Sequence, residues 1–461
     1  MTIWAPEIDI TVDPPYQAIV QALSADIGSG RLSIDQRLPT HRDLAETLGM
    51  AIGTVTRAYK EAERRGLIRG EVGRGTFVGR ADADPVAAPI SESAAPSVID
   101  LSCNYPIYSE APDLGEALGR LATRSHLHEF MRYQPHAGMR RHRAAGAKWA
   151  ARFGVACDPE SVLVCNGAQH GLTIVFCTLA EPGDVILTEA LTYPGMKAVA
   201  RLLHLRLQAV EIDDEGLIPD AFDAACRRQK VTALYLMPTI HNPTTAVLPD
   251  SRRRAIAEIA RRHDVAIVED DVHRLLADPA PPPVASYAPE RTYFIAGYSK
   301  AVAAGIRIGY VAAPREAIER LVHSIWATCW MVAPLTAEIA TLWIEDGTAD
   351  RIVQRKRAEA EARQQMARNI LRNAAYKTQP HAFHIWLELP PKWRSAEFTV
   401  EARRRGVGIT PAEAFSIGDG PAPKAVRVSL GAAESRERLR SGLSTIAAIL
   451  ALSPDACPAV V

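Results

Sequence analysis

Charge of a single sign is missing from this sequence. Its 461 residues hold 53 Lys/Arg and 53 Asp/Glu, so no overall field draws it toward a polyanion, and any nucleic-acid site must come from local clustering. Cysteine is sparse: there are seven, an odd number without a CxxC pair. Reduced thiols explain that pattern better than a disulfide framework or a zinc site, and no metal is expected. The opening MTIWAPEIDI is acidic where a secretory leader would be basic and then apolar, and a signal peptide is not expected. No uninterrupted apolar run is long enough to cross a bilayer, and no internal repeat is evident. The expectation is a cytoplasmic protein without membrane contact. Composition is otherwise ordinary, with 48% hydrophobic and 23% charged residues, in a chain too long for one core.

Three zones separate by composition. Residues 1–79 carry short amphipathic patterns broken by LPTHR and LGMAIGT, then a glycine-rich end, GEVGRGTFV. Residues 80–97, ADADPVAAPISESAAPS in the main, offer almost nothing to bury and read as a flexible linker. From 98 to about 455, apolar strand-like runs (SVLVCNG, GDVILTEA, ALYLMPT, VAIVEDD, YFIAGYS, IGYVAAP) alternate with longer helical stretches. This alternation predicts an α/β domain with a mostly parallel sheet, and a smaller C-terminal α/β domain after it.

In the first zone, Thr40 is placed to cap a helix from His41 to Leu48, Gly49 to stop it, and Ile52 to Ala62 to form a second helix after a tight turn. This is helix-turn-helix spacing. Leu44, Ala45, Leu48, Val55 and Tyr59 share an inner face, which leaves Arg42, Thr54, Thr56 and Arg57 outside; Val72 to Val78 reads as a β-wing with Gly73 and Arg74 at its tip. Between Arg31 and Arg80 there are ten basic and six acidic residues, a modest local excess. The text from Leu38 to Val78 resembles the GntR family of winged-helix regulators. The resemblance implies double-stranded DNA as partner, with Arg42, Thr54, Thr56, Arg57, Gly73 and Arg74 on the DNA side. One position departs: the family commonly has arginine where this chain has Ile52.

In the third zone, polar residues follow the apolar runs, where open α/β sheets bind their ligands. Ala168 and Gln169, after Gly167, lie between a strand and a helix, where free N–H groups suit a phosphate. Asn242 sits in HNPTT, Asp270 ends VAIVED, and Lys300 follows YFIAGYS. Tyr193 offers a stacking ring, and Arg307 stands seven residues beyond the lysine. Arg427 lies far downstream, suited to a carboxylate. A lysine for an aldehyde, a carboxylate for a pyridinium nitrogen, an amide for the ring oxygen and a phosphate cup are what pyridoxal 5'-phosphate (PLP) requires.

Taken together, the order N-P, E-D-D, S-K, G-x-R, R-V-S resembles fold-type I, aspartate-aminotransferase-like enzymes. By that resemblance Lys300 is the catalytic, cofactor-bearing lysine, Asp270 the pyridine-nitrogen partner, Asn242 the ring-oxygen donor, Arg307 a phosphate arginine and Arg427 the α-carboxylate arginine. Tyr133, in YQPHAG, matches a tyrosine that reaches the phosphate across a homodimer interface. Three positions depart. His273 stands where the family has tyrosine, Gly297 replaces a phosphate-binding serine, leaving Ser299 or water to substitute, and the usual NPTG reads NPTT. A GntR head on such a body resembles the MocR-type transcriptional regulators. The resemblance implies a PLP-dependent regulator that senses a small amino compound or PLP itself, with little or no turnover. Two other readings stand beside it: a true aminotransferase with an accessory head, and a DNA-binding protein whose body has lost PLP.

Overall fold

The computed structural model describes Trp4, Pro6 and residues 15–28, 31–33, 36–64, 67–71, 75–78, 98–124, 127–418 and 420–452. The chain divides into two compact units, Met1–Ser93 and Ala94–Val461. The expected linker, 80–97, lies outside the described residues.

Among the described residues the head has three helices, α1 (Pro15–Gly28), α2 (His41–Leu48) and α3 (Ile52–Arg64), and a two-stranded antiparallel ribbon, β1 (Ile68–Glu71) with β2 (Gly75–Val78). Local chemistry fixes α2 at both ends. Thr40 accepts from the Asp43 amide and Asp43 accepts from the Thr40 amide, a capping box worth about 1 kcal/mol. Gly49 closes the helix at φ 63°, a left-handed conformation that glycine adopts without a Cβ penalty. Leu44, Ala45, Val55 and Tyr59 are buried together with Ile19, Leu23 and Val78, and Leu48 packs against them. The inner face is therefore as the periodicity predicts. The ribbon differs, because its first strand begins at Ile68, ahead of the predicted Val72. Ile68 is buried in the same core and the strand is paired to Val78.

In the body, seven strands form one sheet in the spatial order Val162–Cys165, Gly309–Ala312, Thr292–Gly297, Ala266–Asp270, Ala233–Leu236, Val185–Glu189, Arg206–Val210. Gly309–Ala312 runs antiparallel to both neighbours and the other pairings are parallel. A sheet covered on both faces needs strands that are apolar throughout, which is why VLVC, ALYL and YFIA read as unbroken hydrophobic runs. Alternation still assigns sides: Val162 and Val164 join one core, Leu163 and Cys165 the other. A second, antiparallel sheet of four strands (Tyr376–Lys377, His384–Glu388, Ala425–Ser429, Thr410–Pro411) belongs to the smaller C-terminal layer. Ile99–Asp100 pairs in parallel with Val407–Gly408.

Candidate cofactor and effector site

Segments at the carboxyl ends of five strands of the large sheet, with Arg427 from the second sheet, carry the predicted residues. Three consecutive acids, Glu269, Asp270 and Asp271, are all buried, yet alternation and local partners give them different tasks. Glu269 accepts from the amides of Val284 and Ala285, at 2.9 and 2.8 Å. Asp271 accepts from Thr239 Oγ1 at 3.1 Å and lies near Arg253, a fully buried guanidinium that donates to the carbonyls of Leu248 and Pro238. Asp270 accepts from the Tyr235 hydroxyl at 2.8 Å through one oxygen, while Oδ1 is buried without a partner. Burial pushes its carboxyl up to about 7, against the Tyr235 hydrogen bond, which lowers it. A buried carboxylate with an open oxygen calls for a cationic donor.

Lys300 is half-buried and donates to the carbonyl of Asn104. Burial, and then the Arg427 charge, pull its ammonium down to about 8, while Asp270 opposes that shift. Beneath it, Lys356 donates to the carbonyls of Val302 (2.7 Å) and Lys300 (3.4 Å), clamping the turn that carries the amine. Arg427 is only 4% exposed. It donates to Asn242 Oδ1 at 2.8 Å, to the Ser102 carbonyl and to Thr410 Oγ1 at 3.4 Å, and lies 4.8 Å from the Phe415 ring centre. Its Nε is buried and unpartnered, and burial lowers its pKa to about 10.

A cup forms where Gly167 precedes the helix Ala168–Leu179. Gly167 has φ 82° and ψ 169°, a conformation reserved for glycine, and no side chain caps the helix start. A Cβ there would meet the Arg307 guanidinium at 2.6 Å. Arg307, itself at φ 52°, donates to Asn166 O and Ser299 Oγ, each at 3.5 Å. Gln169 donates to Gly195 O at 3.0 Å and leaves its Oε1 buried without a partner. Tyr193 lies beside Gly195, electrostatically within reach of Asp270, Arg307 and Arg427, and burial pushes its hydroxyl up to about 12.

Not every expected residue joins the cluster. Tyr133 stands 81% exposed on the surface, its ring 5.7 Å from Trp330. His273 is buried with Nε2 3.3 Å from Asn104 Nδ2, and burial holds it neutral, down to about 3. At Gly297 a Cβ would lie 2.5 Å from Val272 Cγ1, so Val272 occupies the space a serine would need. Sequence reasoning missed Asn104, Tyr235 and Lys356. A tyrosine in an otherwise apolar buried strand was a signal, since its hydroxyl needs a partner. So was a lysine on the Ala349–Ile352–Val353–Ala360 stripe of the helix Thr348–Ile370.

On the head, Arg42 is exposed and Thr54 half-buried. Thr56 is half-buried as well, with Oγ1 3.2 Å from Nδ1 of His41, whose ring packs edge-on against Tyr59. Arg57 is exposed but lies 4.5 Å from the Tyr16 ring centre. Gly73 and Arg74 lie outside the described residues.

An open carboxylate oxygen, a lysine with lowered pKa, a glycine cup and an arginine beside it are the residue types that PLP requires. Residues 96–446 match the family "Aminotransferase class I and II", and residues 15–78 match "Bacterial regulatory proteins, gntR family". The chain is 30% identical over 447 residues to the uncharacterized HTH-type transcriptional regulator YdeF of Bacillus subtilis, covering 97% of this chain and 96% of that one. It is 29% identical over 443 residues to the HTH-type transcriptional regulator TauR of Rhodobacter capsulatus, covering 86% and 88%. Among solved structures, the Pyrococcus horikoshii kynurenine aminotransferase superposes with a TM-score of 0.72 at 20% identity, covering 77% of this chain and 91% of that one. LysN, the α-aminoadipate aminotransferase of Thermus thermophilus, does so with 0.69 at 24%, covering 77% and 92%. These likenesses show the fold. The chain belongs to the class I and II aminotransferase family and, through its GntR-type head, to the MocR-type transcriptional regulators.

Proposed function

We propose that the body senses a small amino compound, or PLP itself, and that its occupancy alters binding of the head to double-stranded DNA. When bound, the cofactor supplies an aldehyde for amines and an electron-withdrawing ring. Lys300 is the amine that holds the aldehyde. Asp270, through its open oxygen, keeps the ring nitrogen protonated. Arginine only donates, so Asn242 must present Oδ1 to Arg427, and its amide nitrogen remains to donate to the ring oxygen. The Ala168 and Gln169 amides, Arg307 and Ser299 would hold the phosphate, and Tyr193 would offer its ring to the cofactor. Tyr133, exposed on each copy, serves the partner's phosphate in a homodimer.

One observation carries the sensor reading. The two cations placed to handle a ligand, Lys300 and Arg427, both donate to carbonyls of one short segment, at Asn104 and Ser102. That segment opens the body, directly after the residues that lead from the head. PLP would take Lys300 away from this segment and a carboxylate-bearing compound would take Arg427, so each ligand would change the donors that hold it. An effector then acts through its unequal affinity for the two arrangements of this segment. The test is fluorescence anisotropy on DNA selected by the full-length protein, with and without PLP and a panel of amino acids. An amino compound should shift the DNA affinity of wild type, while Arg427→Ala should keep the cofactor's visible absorbance and lose the response to carboxylate-bearing compounds. Sustained transamination with DNA affinity indifferent to every compound would overturn the reading.

A further inference from the structure

The recognition helix departs from a polar reader in a way that points to a particular base feature. Thr56 is committed to His41 and Arg57 leans on Tyr16. At the start of α3, where a helix in the major groove meets base edges, three successive exposed residues are Ala51, Ile52 and Gly53. Ile52 is 48% exposed and has no place in the head's core, which is built from Leu44, Val55, Tyr59 and their neighbours. A Cβ at Gly53 would meet nothing within 4 Å, so the surface beside Ile52 is low and open.

We propose that Ile52 is a specificity-determining residue that packs against the C5-methyl group of a thymine in each operator half-site. In the major groove a T·A pair is marked by that methyl, the one apolar feature among the base edges. A β-branched side chain offers it a stiff apolar surface and no hydrogen bond. An arginine here would select guanine through N7 and O6, and isoleucine cannot. The inference rests on the head binding DNA.

The experiment uses full-length protein and duplexes enriched from a randomised pool. In the best duplex, each thymine is replaced in turn by deoxyuridine, which removes only the methyl. One position per half-site should lose about three- to fourfold in affinity, the worth of one buried methyl. Ile52→Ala should lower affinity for the thymine duplex by a similar or larger factor and erase the uracil penalty at that position alone. Ile52→Arg should shift the selected base there to guanine. Since Ile52 is exposed, both variants should keep the wild-type melting temperature. Uracil tolerated at every position, or a penalty that survives in Ile52→Ala, would overturn the assignment while leaving DNA binding in place. Failure of wild type to enrich any sequence would overturn both.

Discussion

Lys300 must be neutral to join an aldehyde, so the pH at which it loses its proton sets how fast apoprotein captures PLP. The usual lysine value is 10.5 and the buried amine sits at about 8. At pH 7 about one molecule in eleven then carries the neutral amine, against roughly one in three thousand for an unperturbed lysine, an advantage of about 300-fold. The folded state binds fewer protons than the unfolded one between about pH 8 and 10.5, so stability of the apoprotein rises with pH through that window, and the cost of burying the ammonium is fully present below it. Stopped-flow mixing of apoprotein with PLP, read by the cofactor's visible absorbance, should give a rate that climbs about tenfold per unit at low pH and levels off near pH 8. In Arg427→Gln the midpoint should move upward, because that guanidinium is the second cause of the lowered pKa. A wild-type rate still climbing above pH 10 would refute the reasoning, as would a midpoint indifferent to Arg427.

Other expectations follow from single contacts. Gly297→Ser should destabilise the body by about 1–3 kcal/mol through overpacking against Val272, and Val272→Ala should return much of the lost melting temperature when combined with it. Gly167→Ala adds a Cβ at φ 82° and 2.6 Å from Arg307. It should weaken PLP at least tenfold in an absorbance titration while Lys300 still reacts at saturating cofactor. Thr40→Ala removes half of the capping box and should cost about 1 kcal/mol in head stability, seen as earlier protease cleavage of the head with the body's melting unchanged.

Much of this was legible in the sequence because short-range rules decide it. Thr40, Gly49 and the Leu44–Ala45–Leu48 stripe define α2 without help from the rest of the fold. Asp270, Lys300 and Asn242 could be found because each follows an apolar run, and strand ends in such sheets converge. What escaped was set by tertiary contact. The wing's first strand begins earlier than predicted because Ile68 reaches the head core. Alternation along the strand does not by itself assign tasks to Glu269, Asp270 and Asp271; their partners do, the amides of Val284 and Ala285 for the first, the Tyr235 hydroxyl for the second, and the Thr239 hydroxyl with Arg253 and Arg274 for the third. Asn104 and Ser102 enter through backbone carbonyls, which every residue has, so no side-chain motif could mark them. Helical spacing alone could not show that the Thr56 hydroxyl meets His41, fifteen positions away in the chain.

Two of the departures from the aminotransferase pattern, Gly297 and His273, bear on whether the body still takes a cofactor. Gly297 is not a vacancy, since Val272 fills the space of the missing hydroxyl and leaves Ser299 within reach of Arg307. His273 is fixed in a second way. His384 Nε2 faces the His241 carbonyl at 3.3 Å and must carry a proton there, so its Nδ1 is an acceptor. Asn104 therefore turns its amide nitrogen to His384 and, from the same nitrogen, to His273 Nε2, each at 3.3 Å. The histidine that replaces tyrosine thus orients the residue whose carbonyl receives the Lys300 amine. A pocket shedding its cofactor has no reason to retain an open Asp270 oxygen, a glycine-only cup and a network that holds the lysine's acceptor in place. The substitutions change how Lys300 is supported and leave its partners intact, which favours a body that still binds PLP over one that has lost it.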